Sequence, residues 1–268
     1  MQAEIHKNSH RRGGVVLPVE RHRRIVAELS RLRFVTTDDL TALLGVSHET
    51  VRRDLALLEQ RGELTRVHGG ATSPEAPVGE EASFSERSGA MAEEKRTIGR
   101  AAAALVEPGQ TVVIDVGTTA LEVARALPAD HTGVIATPSL LVAAEVSTRP
   151  RVEVLVSGGR LRAGDLACSN AHAVGFFSDL RADAVFVGSG GIAPYGLTDF
   201  HLDEVATKRA MLANASHRYV LADSSKFGRT AAHRVCDLGG FDTLLTDRPC
   251  PPELQTAIQR SGGAVVIA

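Results

Sequence analysis

The chain has no tryptophan, two tyrosines and eight phenylalanines among its 268 residues, so aromatic packing cannot dominate its interior. Aliphatic side chains have to fill the core, and a hydrophobic fraction of 43% is enough for folded domains. No uninterrupted apolar run reaches the roughly 20 residues of a membrane-spanning helix. The basic N-terminus is not followed by the apolar segment of a secretion signal. We therefore expect a cytoplasmic protein without a membrane partner.

Cysteine is also scarce, with Cys168, Cys236 and Cys250 scattered along the chain. Their spacing matches no metal-ligand pattern, and an odd number without a framework indicates a reducing compartment. The isolated histidines of the C-terminal half add no ligand pair. We therefore predict neither a metal site nor a cofactor.

Net charge is small, at −2, which by itself argues against a nucleic-acid-binding protein. The distribution is uneven, however. Residues 1–37 contain eight lysines and arginines against three acids, a local net charge of +5, so the rest of the chain carries −7. A basic end on an acidic body is typical of a protein that contacts a polyanion at one end only.

Residues 1–19 lack hydrophobic periodicity and are interpreted as a basic tail, either without a role or in contact with DNA phosphates. Apolar residues at helical spacing then predict three short helices within residues 20–72, the second capped by Thr36 or Thr37 and the third by Ser47. An alternating segment, 63–68, runs into a glycine pair and predicts a β-ribbon. Three helices followed by a ribbon indicate a winged helix-turn-helix domain.

The third predicted helix has an apolar underside formed by Val51, Leu55 and Leu58. A helix of this kind reads base edges with its N-terminal residues, and arginine can pair bidentately with guanine. The candidate DNA-binding residues lie off the underside or on the ribbon: Ser47, His48, Thr50, Arg52, Arg53, Arg66 and His68. We expect Asp54 to orient one of the neighbouring arginines. The alternative is a small helical domain whose arginines are merely solvated.

Residues 73–90 are rich in Pro, Gly, Ser and Glu and are predicted to be a linker. From residue 91 apolar strand-like runs alternate with helix-like segments, which predicts a mostly parallel sheet covered on both faces. The predicted strands are 112–115, 134–137, 152–157, 184–188, 219–223, 243–247 and 264–268. The fold class is therefore α/β, with a winged helix-turn-helix at residues 20–72 and the α/β domain at 91–268.

The segments 47–55 (SHETVRRDL) and 66–71 (RVHGGA) closely resemble the DeoR family of bacterial transcription regulators, and the resemblance covers nearly all of residues 20–268. It implies a C-terminal domain similar in fold to ribose-5-phosphate isomerase. It also implies a repressor of carbohydrate genes that is released by a phosphorylated sugar. The implied partners are operator DNA, the sugar phosphate and further copies of the chain.

The resemblance also implies a sugar-phosphate site at the carboxyl ends of the strands, where ligands of open α/β sheets bind. After the first strand, residues 115–119 (DVGTT) open a helix whose exposed N–H groups attract anions. Thr119 and Glu122 have capping-box spacing, which needs no ligand. The candidate effector-binding residues are Asp115, Gly117, Thr118, Thr119, Gly188, Ser189, Gly190, Glu204, Lys208, Asp223 and Lys226.

Several of these residues also have a purely structural interpretation. The glycines after the strands are compatible with ordinary tight turns. Lys226 can be a surface lysine beside a helix-capping Asp223. Glu204 and Lys208 have the spacing of an exposed salt bridge.

The alternative function is a sugar-phosphate isomerase with an accessory helical domain. Isomerases of the related fold carry aspartates where this chain has Ser189 and Gly190, which leaves Asp199 and Glu204 as the carboxylates nearby. A second alternative is a constitutive DNA-binding protein whose α/β domain only drives assembly. The chain also has Pro138 where the family has Asn, so sugar recognition is expected to differ from that of other members or the site to be degraded.

Overall fold

The computed structural model describes residues 17–32, 34–67, 70–72 and 81–268. Of the predictions above, those on the tail up to residue 16, on His68 and on linker residues 73–80 concern positions outside these ranges. Within the described ranges, no helix combines the length and the apolar character needed to cross a bilayer.

The N-terminal unit, called the reading head below, contains three helices and three short strands. They are α1 (Pro18–Leu32), β1 (Phe34–Thr36), α2 (Thr37–Leu44), α3 (His48–Gln60), β2 (Thr65–Val67) and β3 (Gly70–Thr72). The strands form an antiparallel sheet in the order β1-β3-β2, so β2 and β3 make a wing that β1 joins to the helices. This arrangement confirms the predicted winged helix-turn-helix.

Local capping fixes the helix boundaries of the reading head. Thr36 caps α2 in a reciprocal capping box with Asp39, and Ser47 caps α3 by accepting from the amide of Thr50. Gly45 takes the left-handed conformation, with φ of 64°, that ends α2 before the turn into α3. Because these signals are local, they were readable from the sequence.

The C-terminal unit, called the α/β domain below, contains the remaining elements. Its helices are α4 (Phe84–Gly89), α5 (Ala92–Ala103), α6 (Thr118–Ala126), α7 (Leu140–Val146), α8 (Ala171–Asp179), α9 (Leu202–Ala213) and α10 (Pro252–Arg260). Its strands are β4 (Thr111–Ile114), β5 (Gly133–Thr137), β6 (Val152–Val156), β7 (Arg160–Arg162), β8 (Ala167–Ser169), β9 (Ala182–Gly188), β10 (Gly191–Ala193), β11 (Gly196–Asp199), β12 (Ala215–Leu221), β13 (His233–Cys236), β14 (Thr243–Thr246) and β15 (Ala264–Ile267).

Parallel strands form the central sheet, in the order β15-β14-β12-β9-β4-β5-β6. Every strand predicted from the sequence takes part, which confirms the mostly parallel sheet. Alternate residues of β4 belong to separate apolar clusters, with Val112 and Ile114 in one and Val113 in the other. Both faces are therefore buried, as the continuous apolar runs indicated.

Some elements were not predicted. They are the hairpin β7-β8, the small sheet β10-β11-β13 and α8, together with α4 inside the predicted linker. The hairpin strands have three residues each, too few to show a periodicity. α4 is a short helix that begins with a capping box between Ser83 and Glu86. The predicted linker therefore contains ordered structure next to the α/β domain.

The reading head and the α/β domain are in contact. Arg248 Nη1, after β14, lies 3.2 Å from Asp39 Oδ1 in α2. The short 3-10 helix Ser224–Lys226, which follows β12, lies beside β1. A segment at the carboxyl end of the central sheet therefore touches the sheet of the reading head.

Candidate functional site

The outer face of α3 carries the arginines predicted to bind DNA. Val51, Leu55 and Leu58 are buried in the core of the reading head and hold one face of the helix down. On the opposite face Arg52 and Arg53 are exposed. Arg53 Nε donates to Glu49 Oε1 over 3.1 Å, whereas Arg52 forms no ion pair with any residue that the structure describes. Arg52 is therefore the less restrained of the two.

Polar side chains surround the N-terminus of α3. Ser47 Oγ lies 3.3 Å from Thr50 N and 3.0 Å from Thr50 Oγ1, so these two hydroxyls are partly engaged in capping. His48 is exposed, with Nδ1 3.5 Å from Asp38 Oδ1. In helix-turn-helix proteins this end of the helix enters the major groove.

The prediction that Asp54 orients Arg52 or Arg53 is wrong. Its carboxylate is buried and accepts hydrogen bonds from Arg21 Nε at 2.7 Å and from His22 Nε2 at 3.0 Å, both on α1. Burial alone would raise the pKa of Asp54, but these hydrogen bonds more than offset it, and the pKa is lowered. Asp54 therefore ties α3 to α1 and is not available to DNA.

The wing is tied to the end of α3. The backbone N–H of Arg66, in β2, donates to Glu59 Oε1 over 2.8 Å, and Arg66 Nη1 lies 3.8 Å from Glu59 Oε2. Arg66 is exposed beside this contact. The other wing residue predicted to bind DNA, His68, lies outside the described residues.

The carboxyl ends of β4 and β9 border a partly open polar cavity, called the strand-end cavity below. The predicted effector residues that line it are Gly117, Thr118, Thr119, Gly188, Ser189, Glu204, Lys208 and Lys226. Asp115 lies behind this lining, bonded to Lys208, whereas Gly190 and Asp223 do not line the cavity. It is also lined by residues that were not singled out in the sequence: Glu81, Arg87, Lys95, Arg162 and Asp165.

A buried lysine forms the floor of the cavity. Lys208 Nζ donates to Asp115 Oδ2 over 2.6 Å and lies 2.8 Å from Asp199 Oδ2, and it also donates to the carbonyl of Gly188. Burial opposes its charge, yet the surrounding carboxylates more than offset this and raise the pKa of Lys208. Since Lys208 is 2% exposed, it does not form the exposed salt bridge that its spacing from Glu204 allowed.

Glu204 is a second buried acid in the same cavity. Burial, together with the nearby charge of Asp199, raises its pKa to about 8, while Lys208 and Arg162 act in the opposite direction. Arg162 contacts both Glu204 and Asp165, which ties the hairpin β7-β8 to α9. In its protonated form Glu204 can donate a hydrogen bond into the cavity.

The N-terminus of α6 opens onto the cavity. Gly117 is its N-cap, with φ of 104°, and the helix has no side-chain cap. The predicted capping box is therefore wrong: Thr119 is already inside the helix, and Glu122 pairs with Arg125 over 2.7 Å. The first N–H groups of α6 are thus left without a side-chain acceptor, which is the arrangement that favours an anion.

Two lysines line the cavity without a carboxylate partner among the described residues. Lys95 Nζ donates instead to the carbonyls of Arg87 and Ala90, and burial lowers its pKa to about 8. Burial also lowers the pKa of Lys226. Because desolvation disfavours both charges, an anion in the cavity would stabilise the protonated lysines.

The structure assigns other roles to Asp223 and the segment at Pro138. Asp223 is fully buried, and its Oδ1 accepts from the amide of Ser225, so it caps the turn that carries Lys226. Pro138 does not line the cavity, and its carbonyl accepts from Cys168 N over 2.7 Å.

No cluster of three or more His, Cys, Asp or Glu side chains suited to a metal ion occurs among the described residues.

A sequence signal existed for one residue that was missed. Lys95 lies on the buried face of α5 with Ile98, Gly99 and Ala102, at helical spacing, and a lysine in an apolar stripe indicates a buried charge. Arg87 gave no such signal, because it lies in a segment whose composition is that of a linker. Arg162 and Asp165 belong to a hairpin too short to be recognised.

Comparison with known proteins matches both units. The DeoR-like helix-turn-helix domain matches residues 21–76, and the DeoR C terminal sensor domain matches residues 90–248. The HTH-type transcriptional repressor CsqR of Escherichia coli K12 is 34% identical over 248 residues, 92% of this chain and 94% of that protein. The glycerol-3-phosphate regulon repressor of the same strain is 34% identical over 87% of this chain and 92% of that protein. Among solved structures, ribose 5-phosphate isomerase A from Methanocaldococcus jannaschii has a TM-score of 0.38 at 16% identity, covering 51% of this chain and 55% of that one.

Proposed function

Because the chain belongs to the DeoR family of transcriptional regulators, we propose that α3 binds an operator and that a phosphorylated sugar in the strand-end cavity weakens this binding. Family membership confirms the predicted class of protein, a transcriptional regulator and not an isomerase. The specific roles of the residues, the repressor activity and the sugar phosphate are parts of the proposal.

The observation that carries the proposal is the convergence of positive charge on an uncapped helix start. Gly117 opens α6 without a side-chain cap, and Lys95 and Lys226 line the same cavity without a carboxylate partner among the described residues. A phosphate group supplies acceptors for the free N–H groups and charge for the lysines. This combination fits a phosphate monoester better than a neutral sugar.

The rest of the cavity suits a polyhydroxyl compound. Ser189 Oγ is buried and has no hydrogen-bond partner among the described residues. Protonated Glu204 can donate a hydrogen bond, and Asp199 can accept one. Hydroxyl groups of a sugar both donate and accept, so they can satisfy these atoms while the phosphate lies near α6.

On the DNA side, the proposal assigns base contacts to Arg52, with help from Arg53 and His48, and backbone contacts to Arg66 on the wing. The hydroxyls of Ser47 and Thr50 lie beside them at the start of α3. We further propose that the chain self-associates, so that two heads read half-sites separated by about 34 Å or a multiple of this. Such a role requires a cytoplasmic location, where operator DNA and sugar phosphates meet.

The test has two measurements on the full chain. A thermal-shift screen compares phosphorylated sugars with their unphosphorylated counterparts, and a ligand at a hundredfold its dissociation constant should stabilise the protein by about 2.7 kcal/mol. A gel-shift titration then measures operator affinity with and without each stabilising compound. If operator binding is tight and selective while no sugar phosphate alters it, the sensing role is wrong and the chain is a constitutive DNA-binding protein.

A further inference from the structure

We infer that Arg87, on the segment that joins the two units, is an effector-binding residue, and that the effector's phosphate competes with Glu81 for its guanidinium and thereby signals to the reading head. The inference rests on the proposed function, because it concerns the same cavity. Neither residue was predicted from the sequence, and both belong to the segment interpreted there as a linker.

The guanidinium of Arg87 lies at the start of α6. Its Nη1 is 2.9 Å from Glu81 Oε1, and its Nη2 is 3.7 Å from Asp165 Oδ2. A Cβ atom placed on Gly117 would lie 3.9 Å from Nη1, so the guanidinium and the first N–H groups of α6 border the same space. A phosphate held by α6 is therefore within reach of Arg87.

The contacts of Arg87 are made largely within its own segment. Besides the pair with Glu81, Arg87 Nε donates to the carbonyl of Ala82 over 3.0 Å. Glu81 Oε2 also lies 3.4 Å from Nε2 of His201, the residue that precedes α9. An anion that draws the guanidinium away from Glu81 and Ala82 alters the path of this segment while leaving the central sheet in place.

Phosphate is the stronger competitor for this site. A phosphate monoester carries about −1.5 to −2 charges near neutral pH, against −1 for the carboxylate of Glu81, and it matches the fork of a guanidinium. The Arg87 and Glu81 side chains are only 16% and 15% exposed, so water screens the competition weakly. A neutral sugar cannot break the pair, which restricts the response to phosphorylated compounds.

The same residues also border the reading head. Arg87, Lys95 and Lys226 line a second groove that is also lined by Ser30 of α1. The turn that carries Lys226 lies beside β1. Arg87 and Lys226 thus lie between the strand-end cavity and the reading head. A change in their positions on the cavity side therefore alters their contacts on the side of the reading head.

Competition between the phosphate and Glu81 for Arg87 determines whether the effector raises or lowers operator affinity. If the effector releases the operator and also breaks the Arg87–Glu81 pair, that pair belongs to the arrangement that binds the operator. Removing Glu81 should then imitate the effector. Removing Arg87 breaks the same pair and also removes the phosphate's partner, so this variant should bind the operator weakly from the start and respond little to the effector.

The experiment compares Glu81→Gln, Arg87→Gln and a matched control, Arg96→Gln, which breaks an exposed pair with Glu93 on neighbouring α5. The probes are inorganic phosphate, glycerol 3-phosphate, ribose 5-phosphate and fructose 6-phosphate, with thermal shift for binding and gel shift for operator affinity. Arg87→Gln should bind the phosphorylated probes about tenfold more weakly, as expected for the loss of one charge-assisted hydrogen bond. At saturation, these probes should no longer change its operator affinity.

Glu81→Gln should bind inorganic phosphate several-fold more tightly and the operator more weakly before any probe is added. Arg96→Gln should match the unsubstituted chain in every measurement. The inference is overturned if Arg87→Gln keeps the full operator response at saturation, or if Glu81→Gln binds the operator as tightly as the unsubstituted chain. Failure of the proposed function is a different result, since the unsubstituted chain itself would then not respond to any probe.

Discussion

The reading head and the α/β domain use charge in opposite ways. In the reading head the arginines proposed to bind DNA are exposed on a helix whose other face is buried in an apolar core that does not include them. In the α/β domain the charges proposed to form the effector site are buried and bonded to one another, as with Lys208 between Asp115 and Asp199. In the reading head, the residues proposed to bind DNA are therefore different from those that stabilise the fold. In the cavity, the residues proposed to bind the effector also stabilise the fold.

The largest expected effect comes from the buried charges. Lys208→Met should lower the free energy of unfolding by about 3–5 kcal/mol, because it leaves two carboxylates buried without their cation. The control is Arg160→Met, which breaks an exposed pair with Asp203 and should change stability by less than about 1 kcal/mol. Urea unfolding measures both, and equal effects of the two substitutions would show that the cavity charges are not structural.

The head should show the converse behaviour. Arg52→Ala should weaken operator binding by about 1–3 kcal/mol, as expected for loss of a bidentate base contact, and should change stability by no more than about 0.5 kcal/mol. Arg61→Ala, at the other end of α3, removes the same charge and serves as the control. Titration of labelled operator fragments checks this; selective binding that survives in Arg52→Ala would remove the main support for α3 as the reading helix.

The same contrast between the reading head and the α/β domain explains which residues could be grouped into a site from the sequence. The reading-head candidates Ser47 to Arg53 lie on one helix, so local spacing was enough to group them. The seven strands of the central sheet were likewise visible as apolar runs. The cavity is different, because it combines Arg87 from a short helix, Arg162 from a hairpin and Lys208 from α9. Only the tertiary fold brings these distant segments together.

Local rules also failed where a tertiary contact competed with them. The neighbours Arg52 and Arg53 suggested a partner for Asp54, but burial of α3 against α1 delivers Arg21 and His22 to its carboxylate instead. The spacing of Thr119 and Glu122 suggested a cap, but the strand-to-helix turn makes Gly117 the N-cap and starts α6 at Thr118, two residues before the start that a Thr119 cap requires.

A further effect concerns pH and Glu204. The unfolded chain releases this proton near pH 4.5 and the folded chain near pH 8, so the folded state holds an extra proton between these values. Stability should therefore fall as pH rises through this window, by up to about 1.4 kcal/mol per pH unit. Glu204→Gln, which cannot titrate, should show a flatter profile in urea unfolding between pH 5 and 8. The exposed control Glu107→Gln should keep the original slope, and equal slopes in all three proteins would contradict the raised pKa.

The smallest effect concerns Ser47, which is predicted to contact DNA and also caps α3. It tests whether DNA binding and stability depend on different residues throughout the reading head. Ser47→Ala removes the acceptor for Thr50 N and should lower the free energy of unfolding by about 1 kcal/mol. Ser47→Asp keeps the cap, so its stability should stay close to that of the unsubstituted chain. It also places a negative charge at the end of α3 proposed to face DNA, which should weaken operator binding at low salt. Ser178→Ala, at an exposed position of α8, is the control for loss of a serine that caps no helix. If Ser47→Asp binds the operator as tightly as the unsubstituted chain, Ser47 belongs to the fold alone and the DNA-contacting surface begins at His48.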